Sequence, residues 1–563
     1  MTERPWLEGY SHAQPWDTPF EALPVPALLE RSAARQPDAP YLDFLGRRWT
    51  YREIAEQVTR AARGFQILGV GKGIKVGLFL PNCPHYVIAY YAILKAGGTV
   101  VNFSPLYSAS ELQAQVEDSQ TDIMVCLDVA SLYATMSEVL ETSRLRCLVV
   151  GSLADALPPA KSLLYRVFKR REQAKVKLDI RHIGFDELLA NDGNLRPVEI
   201  DPERDLALLQ YTGGTTGVPK GAMLTHANLT INAQQVAAID EKAREGHDRM
   251  FGALPFFHVF ANTVVLNLTT LVGAEIVMLP KFELTQALKT IHKRRVTVVP
   301  GVPTMYTALL SHPKLDKYDL TSIRLCISGG APMPVELKKQ FEAKTGAIVS
   351  EGYGLTESSG VVSTNPFHGE NRPGSIGLPL PGTDIIIVDK EDPTRVLPQG
   401  EAGEITIVGP QVMRGYWQRS GDLVFADGRL RTGDVGYIDA DGYTFIIDRL
   451  KDMIMVGGFK VYPRMIEEAL YQHPAVKEAT VIGIPDAYLG QKPKAFVVLK
   501  SEAAAGVDGT ALLDYLKDKV AKHERPVAVE VRDALPKTMI GKLSKKELVA
   551  EEEAKRTAAG KGS

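Results

Sequence analysis

Leu208-Leu-Gln-Tyr-Thr-Gly-Gly-Thr-Thr-Gly-Val-Pro-Lys-Gly221 reads as an apolar strand running into a Gly/Thr loop that closes on Lys220. Glycines let backbone N–H groups approach phosphate oxygens, and hydroxyls and a lysine add further donors. Three threonines and one lysine stand among four glycines between Tyr211 and Gly221, more donor chemistry than a simple turn requires. The loop is not a P-loop: the Gly-Lys-Ser/Thr ending is missing, and Pro219 precedes the lysine. A small phosphate-bearing ligand is therefore expected, bound by something other than a P-loop ATPase or kinase.

Outward from this loop the chain alternates strands and helices. Lys75–Leu80, Tyr86–Lys95, Gly97-Gly98 and Thr99–Asn102 read as strand, helix, glycine stop and strand. The rhythm returns at Glu275–Leu279, Leu284–Arg294, Val296–Pro300, Ile323–Ser328 and Pro334–Lys344. Repeated βα units predict layered α/β sheets. Near Gly377 the helical patterns stop, and short strands such as Gly403–Val408 and Asp441–Ile447 predict a β subdomain over about 377–447. From Asp448 the pattern resets: a hairpin over Met453–Tyr462, a helix Arg464–Gln472, strands Ala479–Ile484 and Lys494–Lys500, and a helix Thr510–His523. The expected organisation is a large N-terminal domain over 1–447 and a small, mobile α+β domain over 448–563. The charged, Ala- and Gly-rich tail from Glu551 is expected to fray.

The 563 residues carry 65 Lys and Arg against 67 Asp and Glu, a net charge of −2, with 45% hydrophobic residues. That composition excludes disorder and coiled coil, and it supplies no global positive field for nucleic acid. The four cysteines, Cys83, Cys126, Cys147 and Cys326, form neither a metal pattern nor a disulfide framework, and read as buried hydrophobes. The start, MTERPWLEGY, lacks an apolar signal region, so a cytoplasmic location is expected. Met250–Ala274 contains no charged residue but is interrupted by Pro255, His258, Asn262 and Asn267, and reads as buried core rather than a membrane span. One basic stretch stands out. In Lys161–Lys177, seven Lys and Arg flank Leu163, Leu164, Val167 and Phe168, which share a helical face. Reversible attachment to the inner surface of a membrane and a solvated helix packed on the body are both open readings.

Tyr211–Gly221 resembles the signature of the adenylate-forming superfamily, which contains acyl-CoA synthetases, peptide-synthetase adenylation domains and luciferases. Further segments match in the family's order: Leu254-Pro-Phe-Phe-His-Val259, Ser328-Gly-Gly-Ala331, Glu351-Gly-Tyr-Gly-Leu-Thr-Glu357, Arg431-Thr-Gly-Asp434, Asp448–Ile454 with Gly457-Gly458, and Pro536–Lys542. The resemblance spans nearly the whole chain and is strongest to bacterial long-chain fatty acyl-CoA synthetases. It implies that a carboxylate attacks the α-phosphate of ATP, and that the thiol of coenzyme A then takes the acyl group and releases AMP.

The resemblance also implies residue roles. Thr212 and Glu357 hold Mg²⁺, which suits a hard, partly hydrated ion. Gly213, Gly214, Thr215, Thr216, Gly217 and Lys220 hold the outer phosphates, and Thr356 touches the α-phosphate. Asp434 binds the ribose with Arg449 nearby. Tyr353, within Glu351-Gly352-Tyr353-Gly354, and the Gly329-Gly330-Ala331 backbone sandwich the adenine. Lys542 stabilises adenylation, and His258 sits near the substrate carboxylate. Asp448 is the hinge, and Gly457-Gly458 lines the thiol tunnel. Pro536–Lys542 also resembles a site for a protein acetyltransferase acting on Lys542, and a homodimer is a further expectation.

Val259-Phe260-Ala261-Asn262 offers no carboxylate for a substrate ammonium, so amino acids are disfavoured. No tryptophan plugs the pocket, and Phe256, Val259, Val302, Pro303 and Met305 are candidate apolar walls. A medium- or long-chain fatty acid is expected. Aryl or dicarboxylic acids, transfer to a carrier protein, and a non-catalytic adenylate sensor stay open as alternatives.

Overall fold

The computed structural model describes residues 4–212, 219–240, 247–419, 427–486, 488–500, 506–538 and 541–560. Two sheets dominate the N-terminal part. In the seven-stranded sheet, His182–Gly184, Cys147–Gly151, Ile123–Leu127, Lys75–Leu78, Thr99–Asn102 and Leu206–Thr212 run parallel in that spatial order, and Lys220–Thr225 closes it antiparallel. In the nine-stranded sheet the central strands Glu275–Met278, Arg249–Gly252, Val298–Gly301, Leu325–Ser328 and Ile348–Tyr353 are parallel. Parallel strands need crossover connections, which is why the chain alternates strand and helix here.

The helix Pro84–Lys95 shows how tightly the layers close. Proline occupies its first turn, where a missing N–H costs nothing, and every residue from Pro84 to Leu94 is buried. A helix apolar all round belongs inside a core. Gly97 then takes φ +85°, the left-handed geometry that ends the run before the strand Thr99–Asn102. Met250–Ala274 is likewise internal, from the strand Arg249–Gly252 through a buried π-helical turn over Asn262–Asn267. Among the described residues no helix is long and apolar enough to cross a membrane. All four cysteines are free and buried, as their apolar surroundings predict.

The β subdomain is an antiparallel sheet of Asp384–Val388, Gly403–Val408, Leu430–Ile438 and Thr444–Arg449. Asp441-Gly442 forms a turn, with Gly442 at φ +87°, so the last strand starts later than expected. It runs on through Asp448, paired with Val435, and Arg449, paired with Asp434. The C-terminal domain follows with the hairpin Ile454–Val456/Phe459–Val461, the helix Pro463–Tyr471, the long antiparallel pair Val476–Asp486/Gly490–Leu499, and Val529–Val531 added in parallel.

Two expectations need correction. The helix expected over Thr510–His523 covers only Gly509–Leu516, because Lys517–His523 offers little apolar surface to bury. The tail is helical over Lys545–Gly560 rather than frayed. Leu548 is buried, and ion pairs from Lys494 to Glu552 at 2.9 Å and from Arg532 to Glu551 at 2.7 Å fasten it.

Candidate active site

Parallel sheets expose backbone N–H groups and loops at the carboxyl ends of their strands, where ligands usually bind. Here Leu325–Ser328 and Ile348–Tyr353 end side by side as parallel neighbours, and predicted motifs follow them. The strand Leu206–Thr212 and its antiparallel neighbour pack on the short turn Thr356–Ser358, which brings Thr212 and Lys220 to the side of the site carrying Thr356 and Glu357. Thr212 lies opposite Lys220 in register. Gly213, Gly214, Thr215, Thr216 and Gly217 lie outside the described residues.

The predicted ribose and adenine residues meet as one cluster. The Tyr353 hydroxyl donates to Asp434 Oδ2 at 2.6 Å, and Arg449 Nε donates to Oδ1 at 3.0 Å. Asp434 is buried, and its backbone N–H donates to Thr432 Oγ1 at 3.0 Å. Burial, reinforced by Asp434, raises the Tyr353 phenol well above its usual range, so it stays protonated and donates. The carboxylate is thus held by a phenol on one oxygen and a guanidinium on the other, an acceptor oriented at the mouth of the site.

Gly329-Gly330 follows the strand Leu325–Ser328, with Gly330 at φ +80°. A Cβ at Gly330 would lie 2.5 Å from Lys542 Cε. Glycine there is what lets the lysine in. Glu351 does not point outward from its motif: its buried carboxyl accepts from the Met333 N–H at 3.2 Å and braces the 329–333 loop. Burial, only partly offset by Arg464, pushes Glu351 up to about 7. Gly352 pairs with Thr364 in the sheet. Gly354 packs so tightly on Gly360 that a Cβ would lie 2.1 Å from the Gly360 carbonyl oxygen.

Lys542 arrives from the C-terminal domain. Thr304 Oγ1 on the large domain donates to the Gly541 carbonyl at 2.8 Å, pinning the turn. Lys542 lines a small cavity with Leu254, His258, Phe260, Val302 and Gly330. Burial, then the neighbouring Arg449, lowers its ammonium to about 8, with Asp434 pulling the other way.

His258 caps the helix that follows it: its Nδ1 accepts the Phe260 N–H at 3.3 Å. Burial and then Lys542 lower the imidazole to about 3, so it is neutral. With Nδ1 accepting, the proton resides on Nε2, and His258 can donate a hydrogen bond but cannot carry charge. Of the five expected wall residues only Val302 lines the cavity. Phe256 packs edge-on against Tyr86, and Val259, Pro303 and Met305 are buried in the surrounding packing. Leu254 and Phe260 take their place.

Sequence reading missed Tyr416. Its hydroxyl donates to Glu357 Oε1 at 2.6 Å, and the Lys220 ammonium lies 5.3 Å above its ring. The segment is bound to the loop-bearing strand by Trp417 N–H donating to the Gly221 carbonyl at 2.8 Å and Met223 N–H to that of Gly415 at 2.9 Å. Tyr416 therefore ties the expected metal-binding carboxylate to the expected phosphate lysine. Among the described residues no cluster of three His, Cys, Asp or Glu could cage a metal. Glu357 keeps its second oxygen for a cation, and Thr212 offers a hydroxyl. A hard ion sharing its remaining positions with phosphate oxygens and water fits that donor set.

Asp448 is buried at the joint between domains: Oδ1 accepts the Arg449 N–H at 2.7 Å and Oδ2 the Arg464 N–H at 3.0 Å. Gly457 and Gly458, at φ +56° and +89°, form the tight turn of their hairpin. The exposed Phe459 beside them stacks obliquely on His523, with ring centres 4.9 Å apart, and the turn is not part of the Lys542 cavity.

A layered α/β body with a nucleotide-type cluster at its strand ends, and a small domain that inserts a lysine, defines an adenylating enzyme in architecture. The chain belongs to the AMP-binding enzyme family, whose model matches residues 29–417, and the model of the AMP-binding enzyme C-terminal domain matches residues 465–542. It is 42% identical over 560 residues to a long-chain-fatty-acid–CoA ligase of Bacillus subtilis (strain 168), covering 98% of this chain and 99% of that one. A feruloyl-CoA synthase of Amycolatopsis sp is 35% identical, covering 92% and 97%. Among solved structures, ATP-bound MatB from Rhodopseudomonas palustris superposes with a TM-score of 0.80 at 30% identity, covering 93% and 98%. The anthranilate CoA ligase AuaEII in complex with anthranoyl-AMP gives 0.84 at 27% identity, covering 96% and 100%.

Proposed function

We infer that this protein is an ATP-dependent ligase that activates a medium- or long-chain fatty acid as its acyl-adenylate and transfers the acyl group to coenzyme A. The observation that carries the reading is the Lys542 ammonium, seated against Gly330 and in one cavity with His258, in a chain matched end to end by long-chain-fatty-acid–CoA ligases.

Adenylation brings a carboxylate against a phosphate, so the site must offset negative charge. Lys542 supplies a positive charge beside the cavity, and the neutral His258 supplies an Nε2–H donor that orients a carboxylate without competing for its proton. Asp434, held by Tyr353 and Arg449, is suited to accept the two ribose hydroxyls. Thr212 and Glu357 would hold Mg²⁺, which when bound neutralises phosphate charge; Tyr416 orients Glu357 for that task. Leu254, Phe260 and Val302 favour an apolar group next to the carboxyl, and each buried methylene of an acyl chain contributes about 0.8 kcal/mol. Gly457-Gly458 serves the coenzyme A step after the small domain turns about Asp448. Acetylation of Lys542 by a protein acetyltransferase would silence the first step by removing its charge.

Purified protein supplied with palmitate, ATP, Mg²⁺ and coenzyme A is expected to form palmitoyl-CoA, AMP and pyrophosphate in equal amounts. Parallel arms with ferulate, a short dicarboxylic acid and an acyl carrier protein complete the test. Faster turnover of ferulate or the dicarboxylic acid would overturn the fatty-acid reading, transfer only to the carrier would overturn the acceptor, and no pyrophosphate with any acid would leave a sensor.

A further inference from the structure

The helix Pro159–Phe168 buries none of its residues. Leu163, Leu164, Val167 and Phe168 are all exposed, Phe168 at 77%. The chain turns at Arg170–Glu172 and runs back to the edge strand His182–Gly184, leaving Leu178 exposed and Ile180 at 93% exposure. Four large apolar side chains thus stand in water on one helix, and two more on the segment leading to the edge strand. Isolated exposed apolar residues are ordinary, whereas a group of this size marks a contact surface.

Charge narrows the partner. Between Lys161 and Lys177 there are seven Lys and Arg and one acidic residue, Glu172, within a chain whose net charge is −2. Three of the seven are engaged: Lys161 Nζ donates to the Leu45 carbonyl at 2.7 Å, Arg166 pairs with Asp155 at 2.6 Å, and Lys169 pairs with Glu172. The side chains of Arg170, Arg171, Lys175 and Lys177 have neither ion pair nor hydrogen bond among the described residues, and all four are exposed. Asp179, further along, is paired with His182 at 3.0 Å. Unpaired cations flanking an exposed apolar helix match an interfacial surface, in which apolar side chains enter the acyl boundary while Lys and Arg stay at the headgroups.

We propose that the helix Pro159–Phe168, with the cations that follow it, is a docking surface for an anionic lipid bilayer. The surface stands on these residues alone and not on the acid that the active site takes. The full-length protein should float with phosphatidylcholine vesicles containing phosphatidylglycerol and not with phosphatidylcholine alone. Changing Arg170, Arg171, Lys175 and Lys177 to Gln should weaken binding by on the order of 10³-fold. Changing Leu163, Val167 and Phe168 to Ser should abolish flotation. Both variants should turn over a water-soluble acid in the absence of lipid as the parent does, which shows that they fold. Absence of flotation by the parent, equal binding to both vesicle types, or unchanged flotation of either variant would overturn the proposal. So would a parent dimer, measured without lipid, that the Ser variant converts to monomer while its flotation is unchanged, because the face would then belong to a second copy.

Discussion

Two glycine-bearing turns of the C-terminal domain meet opposite fates. At the first, Gly541 takes φ +81° and delivers Lys542 into a cavity of the large domain, where Thr304 pins the Gly541 carbonyl and Gly330 makes room for the side chain. At the second, Gly457 and Gly458 also take positive φ, but a Cβ on Gly458 would meet nothing within 4 Å. One turn is locked in a site while the other is free of one. A single small domain carries both. Under the function proposed above, the seated lysine suits adenylation and the open glycine turn would serve the thiol step.

The largest expected effect breaks the seated turn. Lys542→Ala should lower adenylation, read by pyrophosphate exchange, by about 10²–10³-fold, the size of one electrostatic stabiliser. Thioester formation from supplied acyl-adenylate should persist; equal loss in both half-reactions would remove the distinction between the turns. Acidity sharpens the point. Only the protonated amine stabilises negative charge, and burial with Arg449 brings that amine from 10.5 down to about 8. The kcat/KM of adenylation should therefore be full below pH 8 and fall as the pH rises through it, with Lys542→Arg moving the fall upward. A flat profile across pH 7–9.5 would show that Lys542 keeps an ordinary ammonium.

A smaller effect is expected from the open turn. Gly458→Leu places a Cβ where nothing lies within 4 Å but where φ +89° disfavours it. It should slow thioester formation by on the order of tenfold and leave pyrophosphate exchange near the parent rate. Loss of exchange instead would mean that the hairpin matters to the orientation with the lysine seated. The smallest effect tests the site against which the lysine closes. Tyr416→Phe deletes the hydrogen bond to Glu357 and keeps the ring beneath Lys220, so adenylation should drop about three- to tenfold, with a higher Mg²⁺ requirement. An unchanged Mg²⁺ dependence would make Tyr416 a packing residue.

Much of this was legible in the linear order of residues. Alternating apolar runs and helical patterns announced layered α/β sheets, because a strand buried on both faces has to be apolar and a crossover has to be helical. The Gly/Thr loop announced phosphate chemistry through the donors it contains. Tyr353 and Asp434, 81 residues apart, were legible only through family resemblance, and their hydrogen bond is made by the fold. Tyr416 carried no signal of its own, since Gly415-Tyr-Trp417 belongs to no pattern until it is laid along the strand Lys220–Thr225. The charged tail looked unstructured, because its anchors, Lys494 and Arg532, are distant in sequence.

By itself, then, the sequence determined the kinds of chemistry present and the elements that carry them, since periodicity, glycine freedom and donor inventory are local properties. Tertiary structure alone decided which charges survive and which surfaces stay bare. His258 is neutral because burial and Lys542 surround it, the Lys542 ammonium is weakened because Gly330 admits it beside Arg449, and Phe168 and Ile180 are left exposed only once the rest of the chain has packed. Each outcome depends on desolvation and on neighbours distant along the chain, quantities that exist only once the polypeptide has folded.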